Sequence, residues 1–94
     1  DLAIGYYNKA IEKNKLEGNK QRLGTNYSNL GRSYFMKEEV EKSTEYYKKA
    51  LTISKEVNDE INIVIISLLK NTQESLYLRS TTKFYPISYL IYYL

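Results

Sequence analysis

The alternation of apolar and polar residues predicts helices joined by short polar turns. Between residues 27 and 51, two amphipathic stretches each carry apolar side chains on one face. The first face holds Tyr27, Leu30 and Tyr34, and the second holds Val40, Tyr47, Ala50 and Leu51. Spacings of three, four and seven residues are typical of a helix that buries one side. Because only the polar residues 37–39 separate the two stretches, we predict an antiparallel pair of helices.

Similar patterns flank this pair. A first helix is predicted over residues 1–17, ending at Gly18-Asn19, and a second over about 20–36. The third runs over about 39–57 and ends at the turn pair Asn58-Asp59. The run 61–66 is rich in β-branched residues and would suit a strand in isolation. We predict a helix instead, since it continues a helical series with a spacing near 3.6, carried by Ile61, Ile65, Leu68, Leu69 and Leu76.

Residues 84–94, FYPISYLIYYL, differ from the rest because they carry no charge. Eleven residues are too few to cross a bilayer, which takes about 20. The segment has three interpretations: a closing helix that covers the last exposed apolar face, a clipped membrane segment, or an artificial terminus. The chain also begins without Met and within a predicted helix. These features favour a fragment of a longer protein.

An internal repeat is the most informative feature. The run YYNKAI at residues 6–11 recurs as YYKKAL at 46–51, an offset of 40 residues. The turn pair Gly18-Asn19 recurs as Asn58-Asp59 at the same offset. A fixed period that holds two helices predicts stacked helical hairpins, each covering the apolar face of its neighbour.

The residues of this repeat resemble the signature of the tetratricopeptide repeat (TPR) family. Its helix A carries aromatic-x-x-Leu-Gly-x-x-Tyr, matched here by Tyr27, Leu30, Gly31 and Tyr34. Its helix B carries a small residue, an aromatic residue and Ala, matched by Ser43, Tyr47 and Ala50 and again by Ala3, Tyr7 and Ala10. The period exceeds the family's usual length of about 34 residues and is similar to its long-helix variety. Gly31 would let helix A approach Ser43 closely.

The resemblance implies an all-α fold, a right-handed superhelix of antiparallel helical hairpins, forming a single domain over 1–94. Residues 1–19 would be helix B of a first repeat, 20–59 a complete repeat, and 60–94 a degenerate repeat or capping helices. The third unit lacks the signature, and its equivalent positions hold Ser67, Lys70, Asn71 and Glu74. A local shift in register is the alternative explanation.

Composition argues against an enzyme. The chain has no His and no Cys, so imidazole and thiolate chemistry are excluded and a zinc site is not expected. No nucleophile–base pair or Gly-rich phosphate loop is present, and we expect no cofactor. The net charge of +3 arises from 14 basic and 11 acidic residues that are well mixed, so nucleic acid is not the expected partner. The 11 tyrosines fit core packing better than base stacking.

For function, the resemblance implies a non-enzymatic scaffold that binds a protein or peptide. The absence of Cys fits a reducing compartment, and we expect a cytoplasmic location. The outer face of helix A is the expected binding surface, and it holds Thr25, Asn29, Arg32 and Met36. Asn29 matches the position where the family uses Asn to bond a peptide backbone or a terminal carboxylate. The alternatives are a sensory or regulatory segment of a signalling protein, such as a sensor kinase or peptide-responsive transcription regulator, and an RNA-binding surface.

Overall fold

The computed structural model describes residues 1–82, and of residue 74 and residues 76–82 it describes the backbone alone. These residues form four α-helices: α1 (Leu2–Glu17), α2 (Lys20–Met36), α3 (Val40–Glu56) and α4 (Glu60–Thr82). The part of the chain that is described contains no strand, so the predicted all-α class and the helical assignment of 61–66 are confirmed. The segment 84–94 and its three interpretations lie outside the described residues.

The three turns between the helices share one backbone geometry. Each contains a residue with positive φ: Gly18 at 67°, Glu38 at 63° and Asn58 at 55°. The amide that follows each of them donates to a carbonyl five residues earlier, from Asn19 to Asn14, from Glu39 to Tyr34 and from Asp59 to Ser54, each at 2.9 Å. This is the usual left-handed ending of a helix. Because the same turn recurs every 20 residues, the 40-residue repeat holds in the backbone as well as in the sequence.

Side chains cap three of the four helices. The carboxylate of Asp1 accepts from the Ala3 amide at 2.9 Å, and Asn19 Oδ1 accepts from the Arg22 amide at 3.1 Å. Asp59 Oδ1 does the same for the Asn62 amide at 3.1 Å. Such caps each contribute about 1 kcal/mol. They define where α1, α2 and α4 begin, whereas α3 begins at Val40 without a side-chain cap.

The contact of α2 with α3 is the centre of the core. Leu30, Tyr47 and Ala50 are fully buried there. A Cβ atom at Gly31 would lie 3.0 Å from three atoms of the Tyr47 ring, so the absence of a side chain permits this approach. Ser43 Oγ donates to the Gly31 carbonyl at 2.6 Å. Tyr27 and Ile11 complete the core on the side of α1 and α2.

The contact of α4 with α3 combines one buried aliphatic side chain with a polar network. Ile66 is fully buried. The Tyr47 hydroxyl donates to Gln73 Oε1 at 2.8 Å, and Gln73 Nε2 donates to Ser43 Oγ at 3.0 Å. At the other end of the interface, Asn62 Nδ2 donates to Ser54 Oγ at 2.8 Å. Hydrogen bonds between side chains therefore set the register of α4 on α3.

The apolar spacing that predicts α4 does not mark its buried face. Ile61, Ile65 and Leu68 are exposed, and of that series only Leu69 packs against the core. Leu76 lies outside the residues whose side chains are described. The physical reason lies on α3, whose buried Ser43 and Ser54 hydroxyls take hydrogen-bond partners from α4. The helix turns its polar residues toward them and leaves part of its apolar series on the surface.

Candidate functional site

The predicted binding residues of α2 form one stripe along the helix, here called the polar stripe: Thr25, Asn29, Arg32 and Met36. Thr25, Arg32 and Met36 are exposed, with Met36 at 78%, and Asn29 is partly buried. Thr25 Oγ1 donates to the Gln21 carbonyl within the helix at 3.3 Å. Among the residues that the structure describes, the side chains of Asn29 and Arg32 form no hydrogen bond and no salt bridge. Both retain donors that could bind a ligand.

A second stripe on α4 was not anticipated as a surface. It holds Ile61, Val64, Ile65 and Leu68 and is called the apolar stripe. Ile61 is 75% exposed and Leu68 61%, and the other two are about half exposed. A run of four large aliphatic side chains on one exposed face is unusual for a small domain, because scattered single residues are the norm. Such a stripe is typical of a surface that contacts another molecule.

The two stripes share one equivalent position of the repeat. Ile65 follows Thr25 by 40 residues, the period of the repeat. The helices approach each other beside Gly24, where a Cβ atom would lie 3.6 Å from Asn62 Nδ2. The repeat period alone does not identify the apolar stripe, because the residues 40 positions before Val64 and Leu68 are Gly24 and Ser28, which are buried. The helical periodicity of α4 predicts that its aliphatic residues are buried. That prediction fails because it does not account for the hydrogen-bond partners that the buried serines of α3 require.

Electrostatics at this site depend on Arg32 and the buried Tyr47. Burial raises the pKa of the Tyr47 phenol above its ordinary value of 10.0, and the positive charge of Arg32 opposes that shift in part. Tyr47 therefore stays neutral at physiological pH and continues to donate to Gln73. Since Arg32 is exposed, its guanidinium group is the charged donor of the polar stripe.

Other chemistry has little support in the part of the chain that is described. Among residues 1–82 no group of three or more His, Cys, Asp or Glu side chains is placed to hold a metal ion. No helix in that range combines the length and the apolar character that crossing a membrane requires. Comparisons of the chain with protein-family models, with curated proteins and with solved structures found no match.

Proposed function

We propose that this chain is a non-enzymatic, protein-binding module of the tetratricopeptide type, in which the face formed by α2 and α4 binds a peptide segment. The observation that carries the proposal is the pair of stripes: free polar donors on α2 beside exposed aliphatic side chains on α4. A surface of this composition offers hydrogen bonds for a peptide backbone and apolar contacts for alternate side chains.

The assignment to a right-handed superhelix of helical hairpins is supported by two features. The first is the identical turn at 20-residue intervals, which repeats the same reversal of the chain. The second is the close approach of α2 to α3 at Gly31 and Ser43. Those are the positions at which the family signature places a Gly and a small residue. Both features belong to a regular stack in which each hairpin covers the next.

The ligand that fits the site is an extended peptide with an apolar side chain and a carboxylate. Arg32 would form a charge-assisted hydrogen bond with the carboxylate, and Asn29 would bond a main-chain carbonyl. An aliphatic side chain of the peptide would pack on the exposed Ile65 and Leu68 of α4. Burying one such side chain contributes about 1.5–3 kcal/mol, and a hydrogen bond to a charged group about as much.

The proposal is tested by screening the full 94-residue chain against an array of peptides presented in two forms, with a free C-terminal carboxylate and with a C-terminal amide. We expect binders that carry an aliphatic residue near an acidic group. Arg32→Glu should abolish their binding by charge reversal, and Leu68→Glu should abolish it by loss of the apolar contact. Lys48→Glu is the matched control, because it makes the same charge change on the exposed face of α3.

Two results would contradict the proposal. One is an array without any binder at millimolar peptide concentration. The other is a set of binders whose affinity is unchanged in both Arg32→Glu and Leu68→Glu, since that would locate the contact elsewhere on the molecule. Circular dichroism of each variant, with the helical signal retained, excludes unfolding as the cause of lost binding.

A further inference from the structure

The apolar stripe of α4 corresponds to a face that is covered on α2. Val64 and Leu68 follow Gly24 and Ser28 by 40 residues, the period of the repeat, and both Gly24 and Ser28 are buried. A Cβ atom at Gly24 would lie 3.2 to 3.6 Å from side chains of α3 and α4. These are the helices that follow α2 in the sequence. By the repeat, the segment that follows α4 in the sequence belongs on the apolar stripe.

The residues that follow α4, here called the tail (residues 83–94), have the composition that such a contact needs. Helix α4 ends at Thr82, and residues 84–94 carry no charge. Residues 89–94, with the sequence YLIYYL, have large aliphatic and aromatic side chains alone. On the stripe, Ile61 and Leu68 are 75% and 61% exposed. Contact between the two would remove apolar area from water on both sides without burying a charge.

The length of the tail decides which of its residues can reach the stripe. Along α4, Leu68 lies about 21 Å from Thr82 and Ile61 about 32 Å, at about 1.5 Å per residue. A helix over residues 84–94 would span only about 16 Å and would stop short of Leu68. An extended chain advances about 3.3 Å per residue, so after a short reversal it would pass Leu68 at about residue 89 and Ile61 at about residue 93. The part that reaches the stripe is therefore YLIYYL.

We propose that residues 89–94 of this chain lie in extended form along the apolar stripe, antiparallel to α4, and compete there with an external peptide. Pro86 suits an extended approach, because its fixed φ and its missing amide donor oppose a helix. The contact within the chain is argued from the repeat, the composition and the reach of the tail. The competition rests on the proposed function, since it concerns the same face.

A separate molecule is a poorer occupant of the apolar stripe. A segment tethered at Thr82 has an effective concentration at the stripe on the order of millimolar. It also avoids most of the entropy cost that a free partner loses on association. A second copy of the chain would have to displace the tail, and it would do so only at protein concentrations above that value.

The absence of Trp from the sequence permits a direct test in the full chain. Tyr92→Trp and Tyr93→Trp each introduce one indole into the tail, and neighbouring residues of an extended segment point to opposite sides. We expect the emission of at least one variant to be blue-shifted from that of Trp in water. Adding Leu68→Glu should remove the shift, because a charge on the stripe excludes the apolar tail. Leu16→Glu is the matched control: Leu16 is 90% exposed on α1, so its replacement should leave the emission unchanged.

Three results would overturn the contact. Emission typical of water in both Trp variants would leave the stripe free for another molecule. A blue shift that persists in Leu68→Glu would mean that the tail is buried elsewhere. A blue shift that is lost on dilution of the protein would mean that the contact joins two copies. Circular dichroism checks that Leu68→Glu stays helical, and Ile61→Glu, at a more exposed position of the stripe, repeats the test if it does not.

The competition is measured separately, with a peptide selected on the array. Leu90→Glu together with Ile91→Glu should strengthen the binding of that peptide at least about tenfold, because the tail no longer occupies the stripe. Lys83→Glu is the control, since it makes the same change in net charge at a position too close to Thr82 to reach the stripe. Unchanged affinity in the double variant would overturn the competition. If the array yields no binder, the proposed function fails, while the Trp emission still decides whether the tail lies on the stripe.

Discussion

The two faces of α3 show two different ways of joining helices. Toward α2 the contact is close and apolar, with Gly31 against the Tyr47 ring and Tyr46 stacked between two tyrosines. Toward α4 it is largely polar, with Gln73 bonded to both Tyr47 and Ser43. The turns that lead into and out of α3 are nevertheless alike. Equivalent backbone geometry is therefore compatible with very different interface chemistry.

The difference predicts how each interface fails. A close apolar contact has no spare volume, so it is sensitive to added atoms. A buried polar network tolerates a change of volume better but is sensitive to the loss of one hydrogen-bond partner, because the remaining group is left buried and unpaired. Substitutions on the two sides of α3 can separate these effects, and they are considered from the largest expected effect to the smallest.

Gly31→Leu should have the largest effect. A Cβ alone would lie 3.0 Å from the Tyr47 ring, and the remaining atoms of leucine would force α2 and α3 apart. We expect a loss of about 3 kcal/mol or more in the free energy of unfolding, measured by urea denaturation. For a domain of this size such a loss is a large fraction of the total stability.

Gly5→Leu is the matched control for that substitution. Gly5 also lies within a helix, but a Cβ there would meet nothing within 4 Å. The exchange should stabilise α1 by about 0.5–1 kcal/mol through helix propensity. If both glycine variants lost stability equally, the close contact at Gly31 would not be the cause.

Ile66→Ala should have the next largest effect and separates the buried face of α4 from its exposed face. Ile66 is fully buried, so truncation should cost about 3 kcal/mol by leaving a cavity in the core. Ile65→Ala, at the neighbouring half-exposed position, should cost less than about 1 kcal/mol. Denaturation midpoints of the two variants measure this difference, and a larger loss in Ile65→Ala would mean that the apolar stripe is part of the core.

The contrast between Ile65 and Ile66 also shows what the sequence could predict. Helix boundaries were predictable to within about two residues, because Gly18-Asn19 and Asn58-Asp59 are strong end signals and the apolar spacing of α2 and α3 is regular. The buried face of α4 was not predictable in this way. Its inner positions include Asn62 and Gln73, and a polar residue is assigned to the surface unless its buried partner is known.

The candidate site was predictable in part for the same reason. Thr25, Arg32 and Met36 could be expected at the surface because they lie opposite the apolar face of α2. The exposure of the apolar stripe on α4 could not be expected, since aliphatic residues at helical spacing are normally buried. Recognising it required the hydrogen bonds of Gln73 and Asn62, which determine how α4 is rotated on α3.

The third prediction concerns the polar network. Gln73→Leu should cost about 1–3 kcal/mol, because the buried Tyr47 hydroxyl loses its acceptor. Tyr47→Phe should cost about 1–2 kcal/mol by leaving Gln73 Oε1 without a donor. The double variant should cost less than the sum of the two, since removal of both partners leaves no unpaired group at this bond. Additive losses would show that the hydrogen bond does not couple the two residues.

Stability at high pH provides an independent check on Tyr47. Because burial raises the pKa of its phenol above 10.0, the folded state favours the neutral form. The corresponding stability is fully present below the unfolded-state pKa of about 10 and is lost as pH rises from there through the higher folded-state pKa. The wild type should therefore lose more stability than Tyr47→Phe as the pH is raised above about 10. Equal losses would mean that other groups account for the pH dependence.

The smallest expected effect lies at the exposed edge of the α2–α3 interface. Lys49 Nζ lies 5.2 Å from the ring centroid of Tyr46 and 5.7 Å from that of Tyr27, and it is 3.7 Å from Glu45 Oε1. Lys49→Met keeps the aliphatic stem and removes the charge, so we expect a loss of about 0.5 kcal/mol. Lys48→Met on the same helix should cost less, because no aromatic ring among the described residues lies beneath the Lys48 ammonium group. If added salt removes most of the difference in stability between the two variants, the ion pair of Lys49 with Glu45 is responsible. If the difference survives in salt, it arises from the contact of Lys49 with the stacked rings of Tyr27 and Tyr46, which then stabilises the α2–α3 interface at its exposed edge.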